Sequence, residues 1–67
     1  MITIIVNGAP RELARASSVA ELVDELALGG KRIAVELNGA IVPRSRYAVT
    51  RVSAGDRVEI VGAVGGG

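Results

Sequence analysis

Two Asn-Gly dipeptides, Asn7-Gly8 and Asn38-Gly39, constrain this chain more than any other feature. Both positions of a tight two-residue turn need positive φ, and asparagine and glycine tolerate it best, so each dipeptide predicts a hairpin. Around the first, Met1 to Val6 is rich in β-branched residues and reads as a strand. Ile2, Ile4 and Val6 share one face, and Met1, Thr3 and Ile5 the other. The return strand runs from about Pro10 to Ala14. Pro10 lacks an amide donor and Arg11 and Glu12 are charged, which suits a sheet edge. Around the second, Arg32 to Leu37 pairs with Ala40 to Val42, and Pro43 ends the pairing.

Between the hairpins lies one helix. Ser18 with Glu21 three residues on forms a capping box. Val19, Leu22, Val23 and Leu26 follow on one helical face. Gly29-Gly30 is the expected stop, because glycine readily enters the left-handed conformation. Beyond the second hairpin, Arg44 to Tyr47 reads as a single irregular turn and Val49 to Val52 is ambiguous. Ser53-Ala54-Gly55-Asp56 is a turn by composition, and Arg57 to Val61 is a final strand. Two hairpins, a helix and a last strand make an α+β pattern, with the helix covering one sheet face. We divide the chain into a domain over 1–61 and a tail over 62–67.

With 67 residues this is one small domain, of a size that buries only ~60% of its unfolded surface. Its core must be aliphatic, since Tyr47 is the one aromatic residue. The chain has no cysteine and no histidine. Thiolate chemistry is therefore excluded, along with the commonest general base and metal ligand. Serines 17, 18, 45 and 53 have no histidine to activate them. Gly29-Gly30-Lys31 lacks the preceding glycine and following Ser or Thr of a phosphate loop, so Lys31 reads as a solvated loop residue. Glu21 and Glu25 fall one turn apart on the outer helix face. We expect no catalytic residue and no bound metal or cofactor.

Net charge is +1, and arginines 44, 46, 51 and 57 collect in the second half. Single-stranded nucleic acid is recognised on aromatic platforms, and Tyr47 alone makes none, so a protein partner is the better reading. No apolar run approaches the ~20 residues a bilayer needs, which sets a cytoplasmic expectation with no membrane partner. The sheet face opposite the helix is the expected partner surface. Its members are Thr3, Ile5, Ala34, Glu36, Glu59 and Val61, with Arg57 and Arg44 at the rim. Ile5 and Val61 stand where a merely solvated face would be more polar.

The chain ends Gly62-Ala63-Val64-Gly65-Gly66-Gly67. Ordered glycine loses the most backbone freedom, so a packed terminus would not select it. An incidental, frayed end is one reading. The other is a narrow thread that presents a carboxylate inside a partner; six extended residues span about 20 Å.

The whole chain resembles the ThiS family of sulfur carriers in thiamine biosynthesis. The likeness runs through Asn7-Gly8, Ser18-Val19-Ala20-Glu21-Leu22, and Asn38-Gly39 before Ile41-Val42-Pro43-Arg44. It continues through Tyr47, where the family often has tryptophan, then Gly55-Asp56-Arg57-Val58-Glu59-Ile60 and Ala63-Val64-Gly65-Gly66-Gly67. The glycine ending alone also fits the molybdopterin synthase small subunit or a ubiquitin-like modifier; the Val-Pro-Arg segment with that ending is more specific. The resemblance implies a ubiquitin-like β-grasp fold, a mixed four- to five-stranded sheet whose first and last strands are parallel neighbours in its centre. It implies that a ThiF-type adenylyltransferase, using ATP, activates the carboxylate of Gly67. Val64, Gly65 and Gly66 would thread the partner's active site. A sulfur donor, such as a cysteine desulfurase persulfide, would then form a thiocarboxylate that serves a ThiG-type thiazole synthase. Carriers for molybdopterin, cysteine or tRNA thiolation, and protein modifiers, remain the alternatives.

Overall fold

The computed structural model describes residues 1–62. Strand β1 (Ile2–Val6) turns at Asn7-Gly8 into β2 (Ala9–Leu13). A short β3 (Ser17–Ser18) leads into helix α1 (Val19–Glu25). Then come β4 (Ile33–Leu37), β5 (Ala40–Val42), a 3-10 turn (Arg44–Arg46), β6 (Arg51–Val52) and β7 (Arg57–Gly62). Five strands form one mixed sheet in the order β2-β1-β7-β4-β5, and β3 pairs with β6 in a separate ribbon. β1 and β7 are parallel neighbours, and the other sheet pairs are antiparallel. This is the β-grasp arrangement that the resemblance implies.

Both Asn-Gly turns have positive φ at both residues, as two-residue hairpins demand. They fix the registers Val6↔Ala9 and Leu37↔Ala40. The α1 capping box is complete: the Glu21 amide donates to Ser18 Oγ at 3.1 Å, and the Ser18 amide donates to Glu21 Oε1 at 2.8 Å. Two further helix amides, of Val19 and Ala20, donate to the carbonyls of Thr50 and Tyr47 at 2.8 and 3.0 Å. The segment after the 3-10 turn thus satisfies the orphan donors of the helix start.

The helix stop differs from the sequence expectation. α1 ends at Glu25, and Ala27, with φ of 61°, takes the left-handed position expected of Gly29-Gly30. The Leu28 amide reaches the Val23 carbonyl and the Ala27 amide the Asp24 carbonyl, both at 3.0 Å. That is a Schellman motif, whose characteristic apolar contact joins the residues at Leu28 and Val23. Ending here lets Leu28 pack against the core, as a longer helix would not; Gly30, with φ of 80°, makes the next turn.

The core is wholly aliphatic: Ile4 and Leu13 from the first hairpin, Val19, Leu22 and Val23 from α1, and Val35, Val42, Val52, Val58 and Ile60 from later strands. Strand alternation places one face of the sheet on this core and leaves the other open.

Candidate functional site

Because Ile4, Val35, Val58 and Ile60 are buried beneath α1, their chain neighbours face away from it. Thr3, Ile5, Ala34, Glu36, Arg57, Glu59 and Val61 therefore share the open face, as the sequence pattern predicts. The register sets their order. Ile5 pairs with Arg57 across β1 and β7, Ala34 with Val61 and Glu36 with Glu59 across β4 and β7. Val61 is 60% exposed although it sits on the middle strand. Two shallow hollows flank Arg57 and Glu59. One, of about 350 Å³, is bordered by Ile5 and Gly8; the other, of about 420 Å³, by Glu36, Asn38 and Gly39.

Ile41 extends this face and was missed in the sequence. It lies opposite Glu36 and is 73% exposed. The signal was available: a two-residue turn at Asn38-Gly39 pairs Leu37 with Ala40 and hence Glu36 with Ile41.

Arg44 is not with the others. It borders a groove on the helix side, beside Ala20 and Val23, and its Nη2 donates to the Lys31 carbonyl at 3.0 Å. The 3-10 turn that begins after Pro43 carries it there.

Side chains from both Asn-Gly turns hold the last strand, Asn7 at Ile60 and Asn38 at Arg57. Asn7 Oδ1 accepts from the Ile60 amide at 2.7 Å, and Nδ2 donates to the Ile60 carbonyl at 3.0 Å. Asn38 Oδ1 accepts from the Arg57 amide at 2.9 Å. Gly62, the first residue of the expected tail, is still in β7 and pairs with Ile33. Val64, Gly65, Gly66 and Gly67 lie outside the described residues.

Little among the described residues is poised for catalysis. Ser18 is buried and used as the helix cap. Glu21 completes that cap. Hydrogen bonds from the Ser18 backbone and side chain hold its carboxyl below the usual range, with Arg51 and Arg15 helping. No cluster of potential metal ligands occurs among the described residues, and none of their helices is long and apolar enough to cross a membrane.

Comparison with known proteins agrees with this architecture. The model of the ThiS family matches residues 4–67. The crystal structure of a thiamine biosynthesis protein (ThiS) from Geobacter metallireducens superposes with a TM-score of 0.87 at 35% identity, over 98% of this chain and 100% of that one. A thiazole synthase of Paramagnetospirillum magneticum is 41% identical over 64 residues; these cover 96% of this chain and 20% of that protein, so the chain spans only a fifth of that relative. A protein of Porphyra purpurea, ycf40, is 35% identical over 98% of this chain and 93% of its own length. With the sheet order, the central parallel pair and the match through the last residue in agreement, the chain belongs to the ThiS family.

Proposed function

We propose that this protein is a sulfur carrier for formation of the thiamine thiazole ring, and that its reacting group is the carboxylate of Gly67. The observation that carries the reading is the membership of the ThiS family, whose model extends through the glycine ending. A free carboxylate is a poor electrophile. A ThiF-type adenylyltransferase would join it to the AMP of ATP, releasing pyrophosphate. The outer sulfur of a donor persulfide, such as that of a cysteine desulfurase, would then displace AMP to give an acyl disulfide. A partner thiol would attack its cysteine sulfur, leaving the disulfide on the donor side and releasing the thiocarboxylate. That group is an anionic sulfur nucleophile, and forming it needs no cysteine in the carrier, in keeping with a chain that has none.

The chain contributes surface and reach, and its partners contribute catalysis. The open face around Ile5, Ala34, Arg57, Glu59 and Val61 would hold the adenylyltransferase while Val64, Gly65 and Gly66 thread its active site. A thiazole synthase is the proposed sulfur acceptor, supported by the relative of that name in which a chain segment like this one forms a fifth of the length. Intact-mass measurement tests the loading. After incubation with adenylyltransferase, ATP and sulfur donor, the mass should rise by one oxygen-to-sulfur exchange. A chain lacking Gly66 and Gly67 should stay unmodified with its thermal midpoint unmoved. An unmodified wild-type chain would refute the proposal.

A further inference from the structure

The Schellman turn at Ala27 brings Leu28 against Val23, and with Ile33 and Tyr47 they border an apolar groove of about 200 Å³. Lys31 and Arg44 stand on its rim, both exposed, and Arg44 Nη2 donates to the Lys31 carbonyl at 3.0 Å. Asp24 is the one carboxylate at the rim.

We propose that this groove is a second docking site for the enzyme that takes up the tail, and that it receives an aliphatic side chain of that enzyme flanked by a carboxylate. The inference rests on the carrier reading above. Three observations support it. The groove is smaller than the ~300–1,000 Å³ of small-molecule sites, so a single protein side chain suits it better than a cofactor. Two cations oppose one carboxylate at the rim, and Arg32 adds a third cation next to Lys31 in the chain. The groove also adjoins the last described residue, since Ile33 both borders it and pairs with Gly62. Neighbouring strands lie only ~5 Å apart, so a protein gripping the chain beyond Gly62 reaches the groove mouth. The next pair in register, Ala34 with Val61, belongs to the open face, so both surfaces meet at this end of the sheet. The chain's own tail is a poorer occupant. Ordering three glycines there outweighs burying Val64 and making one exposed ion pair.

The test is calorimetric affinity of the full chain for a ThiF-type adenylyltransferase, with adenylation rate and self-association measured alongside. Ala20→Leu fills the groove from the first turn of α1, and Lys31→Glu reverses an exposed rim charge. Each should weaken binding about tenfold, the scale of one packed anchor, with the thermal midpoint unchanged. Lys31→Arg should bind as wild type. Wild-type affinity in both Ala20→Leu and Lys31→Glu overturns the inference. Faster adenylation of Ala20→Leu would mean that the tail itself occupies the groove, and loss of a dimer in that variant would mean a second copy does; either result also overturns it. If wild type is never adenylated, the carrier reading falls and this inference with it; normal adenylation with unchanged affinities removes this inference alone.

Discussion

Asn7 and Ile60, 53 residues apart in the chain, are joined by two hydrogen bonds that extend the parallel β1–β7 ladder through a side chain. The Asn7 amide to the Val58 carbonyl, at 2.9 Å, is the last backbone rung. The Asn7 side chain then stands in for a further strand residue, two positions before Gly62. The turn that closes the first hairpin therefore also anchors the strand that precedes residues 63–67.

Asn7→Ala should destabilise the fold by about 2–4 kcal/mol, from unpaired Ile60 groups and a left-handed alanine. Asn7→Gly removes the hydrogen bonds without the backbone strain and should lose less. Denaturant titration of both variants measures the difference; equal losses would show that the backbone conformation is unstrained.

Ala27 at φ of 61° occupies a position that glycine fills more easily. A left-handed L-residue costs roughly 1–2 kcal/mol, part of which is offset by the greater freedom of glycine in the unfolded chain. Ala27→Gly should therefore raise stability by about 0.5–1 kcal/mol. A loss of stability would mean that the left-handed turn carries no strain.

The lowered Glu21 pKa means that folding favours its carboxylate. Its stabilisation is complete above the ordinary carboxylate range, near ~4.3, and is lost as pH falls through the lowered folded value. Glu21→Gln should thus be less stable than wild type at neutral pH, with the gap closing in acid. Thermal midpoints of the two proteins across acidic pH check this; a gap independent of pH would contradict it.

Val61 is exposed on the open face of the middle strand, so Val61→Lys should barely move the thermal midpoint. Affinity for the proposed ThiF-type adenylyltransferase should fall by about tenfold, the scale of one packed anchor. Unchanged affinity would remove the open face from the docking surface.

Most of the fold was legible because its signals are local. The Asn-Gly turns set two registers, and Ser18 with Glu21 set the helix start. The helix stop was not legible, because Ala27 has no sequence mark of a left-handed residue; the packing of Leu28 decides it. β3 and β6 are two residues each, too short for any periodicity to appear. The open-face members on β1, β4 and β7 followed from alternation, whereas Ile41 on β5 needed the register set by the Asn38-Gly39 turn. Arg44 was misplaced because a 3-10 turn, unlike a strand, does not preserve the alternation of faces.

The central claim is that sulfur leaves this chain for the thiazole ring. Its most direct test is to load the chain with radiolabelled sulfur, remove the donor, and mix it with a ThiG-type thiazole synthase and its remaining substrates. Label should appear in the thiazole product, and the carrier should be recovered unlabelled with its carboxylate. Label that stays on the carrier, or a carrier recovered in isopeptide linkage to lysines of other proteins, would contradict it.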